Sequence, residues 1–261
     1  MTDDHYAGAA AGWSSGAMLV YQPIASSLVA RAPIDLAGTS VMDAGAGTGA
    51  CEAPLRGAGT SSIVEVDLSF AMLGWNRVSR PPAVVADVTR LPFPRSTFDV
   101  AVASFVLNHL AEPARGLGEM ARVVRGGGGV LATVFSNRSA SPVRDAIDAT
   151  ARNHGWVPPA WYVELKTRAA PILGACAPMN EAAIAAGLVD VETSDDAVDV
   201  GLTEPDALVD YRFGQAQFAG WLAQLAPEEF VAIRAAATAA IADTMEPYRP
   251  RVVFLAARTA A

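Results

Sequence analysis

The sequence predicts an α/β fold organised on a parallel sheet, and three observations predict it. Short apolar segments recur at 41–43, 62–67, 83–87, 97–104 and 130–135, with helix-compatible segments among them. Strands alternating with helices at such intervals argue for βαβ crossovers. The strand segments are apolar throughout rather than alternating, as expected for a sheet covered on both faces. The first of them runs into a glycine at every second position, Gly45-Ala46-Gly47-Thr48-Gly49, ahead of a helix candidate. Glycines placed this way let the backbone turn tightly and approach a ligand closely. A strand, glycine loop and helix in that order also aim a helix N-terminus at whatever binds.

The composition narrows the possibilities. With 261 residues, 52% of them hydrophobic, the chain can bury one large core, so a single domain with insertions, 1–261, is expected. A net charge of -8 repels phosphate backbones and speaks against a nucleic-acid partner. No run of about eighteen apolar residues is present, so no membrane partner is expected. The start Met1-Thr2-Asp3-Asp4 lacks the basic residues of a signal peptide, which makes a cytoplasmic location the expectation. Two cysteines, Cys51 and Cys176, form no CxxC pair, and His5, His109 and His154 are scattered. Neither a disulfide framework nor a protein-held metal is expected.

In chain order, an arm at 1–35 comes first. It is rich in Ala, Gly and Ser, with a helical pattern over 17–32 that Pro33 is expected to close. Its Tyr6, Trp13 and Tyr21 serve either to pack the arm on the core or to fold it over a ligand. After the glycine loop, strands are expected at 62–67, at 83–87 following the Pro81-Pro82 turn, and at 97–104. A helix at 115–124 is expected to end at the glycine run 126–129, which starts a strand at 130–135. The regular alternation then lapses. Helices are expected at 142–154, at 180–186 before Gly187, and through most of 204–242, with strands at 189–200 and 251–256. Two cap insertions result, at about 136–188 and 201–247.

Three acids end three successive strands: Asp43, Asp67 and Asp87. In an open α/β sheet, ligands bind beyond the carboxyl ends of the strands. Asp67 follows the glycine loop by about the twenty residues expected of an acid that reads ribose hydroxyls. Asp87, one strand further out, suits an adenine exocyclic amine. The alternative role for such acids is to cap the following helix. A nicotinamide dinucleotide is one candidate ligand, but its fingerprint is G-x-G-x-x-G, whereas these glycines run Gly45-x-Gly47-x-Gly49. S-adenosylmethionine matches better, since it has no phosphates and its amino acid end needs close backbone approach.

The motifs resemble those of class I S-adenosylmethionine-dependent methyltransferases, in the subgroup of quinone-biosynthesis and small-molecule enzymes. Residues 41–49 match the first motif, and 64–73 match the D-x-S-x-x-M-L segment. Asp87 with Leu91-Pro92-Phe93, then Asn108-His109-Leu110, follow at the family's spacing. Arg122-Val123-Val124-Arg125 with its glycines matches the R-V-L-K-P-G-G turn, with glycine in place of the proline. The resemblance implies a Rossmann-like, doubly wound, seven-stranded sheet whose last strand is antiparallel. It implies S-adenosylmethionine as cofactor. It places Gly45, Ala46 and Gly47 at the methionine moiety and Asp43 near its amino group. Asp67 falls at the ribose, Leu68 and Met72 at the adenine faces, Asp87 and Val88 at the adenine edge, and Ser104 at the end of the fourth strand.

Methyl transfer from a sulfonium is an in-line displacement, so the protein chiefly positions the acceptor and excludes water. His109, just past the fourth strand, is the candidate general base. The cap is expected to enclose a small, partly apolar acceptor such as a secondary metabolite. Tyr6, Trp13, Tyr21, Trp161, Tyr162, Tyr211 and Phe218 are the candidate pocket residues, with Trp156, Phe213 and Trp221 in the same aromatic set. A monomer or homodimer is expected. The competing functions are a nicotinamide-dependent oxidoreductase and a protein of the same fold that catalyses another reaction.

Overall fold

The structure is a computed structural model and describes residues 4–261, so the reading of Met1-Thr2-Asp3 lies outside the described residues. Short helix α1 (Ala10–Gly12) passes through a π-helical turn (Trp13–Ala17) into α2 (Met18–Val29). Then follow β1 (Ser40–Ala44), α3 (Glu52–Gly57), β2 (Ser62–Asp67), α4 (Phe70–Gly74), β3 (Ala83–Val85) and β4 (Phe98–Ser104). Helix α5 (Pro113–Val123) leads into β5 (Val124–Phe135). The cap begins with α6 (Pro142–Asn153) and α7 (Ala160–Glu164). Helix α8 (Cys176–Ala185) returns to the sheet at β6 (Leu188–Ala197). Helices α9 (Pro205–Phe213), α10 (Ala216–Leu222) and α11 (Pro227–Ile241) precede β7 (Arg251–Thr259).

The seven strands form one sheet in the order β3-β2-β1-β4-β5-β7-β6. The pairs from β3 to β5 are parallel, and β7 runs antiparallel to both β5 and β6. The strand order reverses direction at β1 and β4, which opens a crevice at their carboxyl ends. Successive strand residues enter opposite cores, as side-chain alternation requires. Val41, Val100, Val102, Leu131 and Phe254 pack with α2, α3, α6 and the helices before β7. Met42, Ala101, Ala103, Val130 and Leu255 pack with α5 and α8. The sheet is therefore covered on both faces. No described helix is long and apolar enough to cross a membrane.

Three expectations about local structure change. Pro33 does not end the first long helix, which stops at Val29, and Pro23 lies inside it. The glycine run does not end α5 either. The strand begins at Val124, and 125–128 form a bulge, because the register steps from Phe98↔Val124 to Val100↔Gly129. Gly127 takes a φ of +75° there, which suits a bulge. The long helical stretch before β7 is three helices, each started by Pro or by an extended residue. The arm docks closely on α9, since a Cβ at Gly16 would overlap the Asp210 carbonyl.

Candidate active site

A cavity of about 930 Å³ opens at the carboxyl ends of β1, β2 and β4 and extends under the cap. Its floor is the glycine loop. Gly45 has a φ of +71°, and a Cβ there would collide with the Val106 side chain, so only glycine serves. The amides of Gly45 and Ala46 both donate to the Val66 carbonyl, at 2.7 and 3.0 Å, which pins the loop to β2. Arg80 pins it from below. Its guanidinium donates to the Gly47 carbonyl at 3.1 Å, to the Met72 and Leu73 carbonyls at 2.9 Å each, and to Glu65 Oε2 at 2.6 Å.

Asp67 lines the cavity at the end of β2. Its Oδ2 accepts from the Gly47 amide and its Oδ1 from the Ser69 amide, both at 2.8 Å. Each oxygen keeps further acceptor capacity. Burial raises the Asp67 pKa, and Asp4 on the arm adds to the rise, while the two amides oppose it. Leu68, Met72, Asp87, Val88 and Ser104 line the same space. No helix follows Asp87, so it does not cap one; its Oδ1 accepts from the amide and hydroxyl of Thr89, both at 2.8 Å, and closes a local turn.

Asp43 is placed differently from the expectation. It is 1% exposed and absent from the cavity wall. Strand alternation puts its side chain on the face of Val41, toward the core that includes Cys51 and Leu55 of the α3 region. Both carboxylate oxygens lack a partner. Burial, then the nearby Glu65 carboxylate, pushes its pKa well above the usual range. A carboxyl group with a raised folded pKa stabilises the fold fully at low pH and loses that contribution as pH rises toward the folded value. Asp43→Asn, neutral at every pH, should therefore gain stability relative to wild type as pH rises above about 4. Urea denaturation at pH 4, 6 and 8 measures this; a difference that does not grow with pH would contradict the buried, uncompensated carboxyl.

His109 faces the cavity, enclosed by protein, and burial pushes its pKa down to about 4. The imidazole is therefore neutral near pH 7. A hydrogen bond of 3.3 Å joins its Nε2 to the Tyr6 hydroxyl. The arm is tied in at further points. Asp4 accepts from the Ser69 hydroxyl at 2.8 Å, and His5 stacks on Trp161 at 5.1 Å. Tyr6 meets Trp13 edge-on at 5.5 Å, and Trp13 stacks on Tyr21 at 4.9 Å. The arm aromatics thus do both things: they pack on one another and they form the roof.

Of the pocket candidates, Tyr6, Trp13, Tyr21, Trp161, Tyr162 and Tyr211 line the cavity. Phe218 does not. It is fully buried and stacks on Trp156 at 4.1 Å, and Trp156, Phe213 and Trp221 belong to that core as well. Trp156 is held there by its indole N–H, which donates to the Gln217 carbonyl at 3.1 Å.

The structure adds wall residues that the motifs did not indicate. Phe105 follows β4 with a φ of +60° and packs on Phe135 at 4.5 Å. That backbone conformation is rare for a bulky residue and marks a strained site. Ser104 Oγ and Asn108 Oδ1 are buried on the wall without partners. Arg212 is held by Asp148 through two bonds of 2.7 Å and donates to the Tyr162 hydroxyl at 3.1 Å. A positive φ and a buried ion pair between distant residues leave no mark in local sequence pattern.

Comparison with known proteins agrees with this geometry. Residues 42–132 match the family described as a methyltransferase domain. A 109-residue stretch, 41% of the chain, is 37% identical to the demethylmenaquinone methyltransferase of Renibacterium salmoninarum and covers 46% of that protein. The chain spans about half the length of the curated relatives it matches. A phosphoethanolamine N-methyltransferase 2 of Haemonchus contortus, solved with phosphomonomethylethanolamine and S-adenosylhomocysteine, aligns over 91% of this chain and 52% of its own, with a TM-score of 0.59 and 16% identity. The [4+2]-cyclase SpnF aligns over 92% of this chain and 82% of its own, with a TM-score of 0.55 and 21% identity. At these identities the structural likeness is one of fold.

Proposed function

Residues 42–132 match the methyltransferase-domain family, and on that premise we propose that the protein is a class I S-adenosylmethionine-dependent methyltransferase that transfers a methyl group to a small, partly apolar acceptor. The observation that carries this reading is that one continuous cavity joins two kinds of wall. One is the glycine loop with Asp67 and Asp87, and the other is the aromatic set of the arm and cap.

The residues present fit the cofactor. Ser104 Oγ and Asn108 Oδ1 are orphaned polar atoms on the wall, suited to an ammonium group. Gly47 takes a φ of +56°, and a Cβ there would stand 3.5 Å from the Met72 methyl, in the space beside the loop that a ligand would share. When bound, S-adenosylmethionine supplies an electrophilic methyl on a sulfonium. The chain does the rest. Asp67 accepts from the ribose hydroxyls, and Leu68, Met72 and Val88 pack on the adenine. The ammonium contact expected of Asp43 falls instead to Ser104 and Asn108. The aromatic roof excludes water and holds the acceptor in line. His109, neutral near pH 7, accepts a hydrogen bond or a proton from an acceptor hydroxyl, oriented by Tyr6.

The names of the curated relatives support a quinone-type ring as acceptor. The family match ends at residue 132, before the cap begins, so the arm and cap residues that enclose the acceptor lie outside it. The fold likeness to a cyclase favours a second reading, catalysis without methyl transfer. Calorimetric titration with S-adenosylhomocysteine and with NAD, followed by transfer from methyl-labelled S-adenosylmethionine to a panel of phenols and quinols, tests the proposal. Binding of the homocysteine product and labelling of a panel member are expected. Binding of NAD alone would overturn the proposal. Tight product binding with no labelled acceptor would favour the second reading.

A further inference from the structure

Of the nineteen Lys and Arg residues, one is a lysine, Lys166. It lies in the π-helical turn Leu165–Ala169 of the cap and lines the cavity. Among the described residues it has no ion pair and no hydrogen bond. Two further donors at the same end lack acceptors. Arg144 spends Nη2 on the Ser139 carbonyl at 2.7 Å, but its Nε is buried without a partner. Tyr211 is 0% exposed, lines the cavity, and its hydroxyl has no partner.

The remaining charges at this end do not answer them. Arg212 is saturated by Asp148, Gln215 and Tyr162, and in doing so it consumes the Asp148 carboxylate. Arg152 lies over the Trp156 ring at 5.5 Å. Asp145, exposed at the start of α6, is the other carboxylate, and it makes no ion pair with these cations. Four cations thus face two carboxylates, in a chain that is acidic overall. Lys166 is itself exposed; partial desolvation at the cavity wall, with Arg144 and Arg212 close by, lowers its pKa. Buried donors without acceptors are costly, and an oxyanion satisfies several at once.

We propose that the acceptor carries a carboxylate, bound at the cap end of the cavity by the Lys166 ammonium, Arg144 Nε and the Tyr211 hydroxyl. Its ring then lies along the aromatic wall. That the anion belongs to the methyl acceptor rests on the function proposed above; the anion subsite rests on the donors alone.

The test uses benzoate and its neutral counterpart benzamide, titrated into the full chain with and without saturating S-adenosylhomocysteine. Benzoate should bind at least about tenfold more tightly than benzamide. Lys166→Met and Tyr211→Phe should each weaken benzoate by about five- to tenfold and leave benzamide and S-adenosylhomocysteine unchanged, with Lys166→Arg restoring most of the loss. Tyr211→Phe keeps the ring and removes only the hydroxyl, which lies beside Arg144 and Tyr248, and a denaturation midpoint near that of wild type checks that the fold is kept. Equal affinity for the two probes, binding of neither, or a loss shared by benzamide overturns the subsite. Equal affinities with intact S-adenosylhomocysteine binding would leave methyl transfer standing. A benzoate preference without S-adenosylhomocysteine binding would sink the methyl-transfer reading and leave the subsite.

Discussion

Asp67→Ala should weaken S-adenosylhomocysteine binding by at least about 100-fold, the loss expected when two charge-assisted hydrogen bonds of about 1.5–3 kcal/mol each are removed. The carboxylate has two duties. It already accepts from the Gly47 and Ser69 amides at 2.8 Å, which sets the loop and the start of α4. Its remaining lone pairs are the acceptors proposed for the ribose. Asp67→Asn keeps the shape but replaces one acceptor oxygen with an NH₂ that must face a backbone donor, so it should fall well below wild type too. Because the group lines a cavity that water can enter, water can take over the Gly47 and Ser69 amides, so the chain should stay folded with a lowered denaturation midpoint. Calorimetry reads the affinity. A change of less than about threefold would remove Asp67 from the proposed cofactor site.

Arg80→Met should destabilise the fold by about 3–5 kcal/mol, the usual effect of breaking one side of a buried ion pair. Glu65 is 0% exposed, and the Arg80 side chain is 5% exposed. The guanidinium also satisfies the Met72, Leu73 and Gly47 carbonyls, so its loss strands acceptors on two elements. Burial raises the Glu65 pKa even with Arg80 present, and without the cation it must rise further. A carboxyl with a raised folded pKa favours the fold at low pH and loses that contribution as pH rises. The deficit of Arg80→Met should therefore be larger at pH 8 than at pH 5. Adding Glu65→Gln should recover part of it at pH 8. Urea denaturation of the three proteins at both pH values measures this. A loss under about 1 kcal/mol would mean that the pair does not anchor the loop.

Both predictions involve residues within about twenty positions of each other, yet only one was legible from sequence. Asp67 sits at the end of an apolar strand at a spacing with a chemical reason. Arg80 stands in the segment between α4 and β3, where no periodicity sets its direction, and its partner lies inside β2. Asp43 shows the opposite limit. Its position at the end of β1 was read correctly as chain position and wrongly as a cavity contact, because alternation in the central strand turns it under α3. The aromatics divide in the same way. Trp161 and Phe218 look alike as sequence, but one lines the cavity and the other is sealed in the core against Trp156.

From its sequence, this chain determined the parallel sheet, the place of the glycine loop and the acids near the strand ends, which follow from short-range periodicity and turn chemistry that each segment carries with it. The antiparallel last strand was implied by the family resemblance alone. The tertiary structure alone decided which aromatics form the cavity wall, that Arg80 holds the loop from below, and that Arg144, Lys166 and Tyr211 leave donors unanswered at one end. Those properties depend on which segments meet. The wall is assembled from the arm, the ends of the strands, and cap helices on both sides of β6, and whether a buried polar atom has a partner is settled only when all of them are in place.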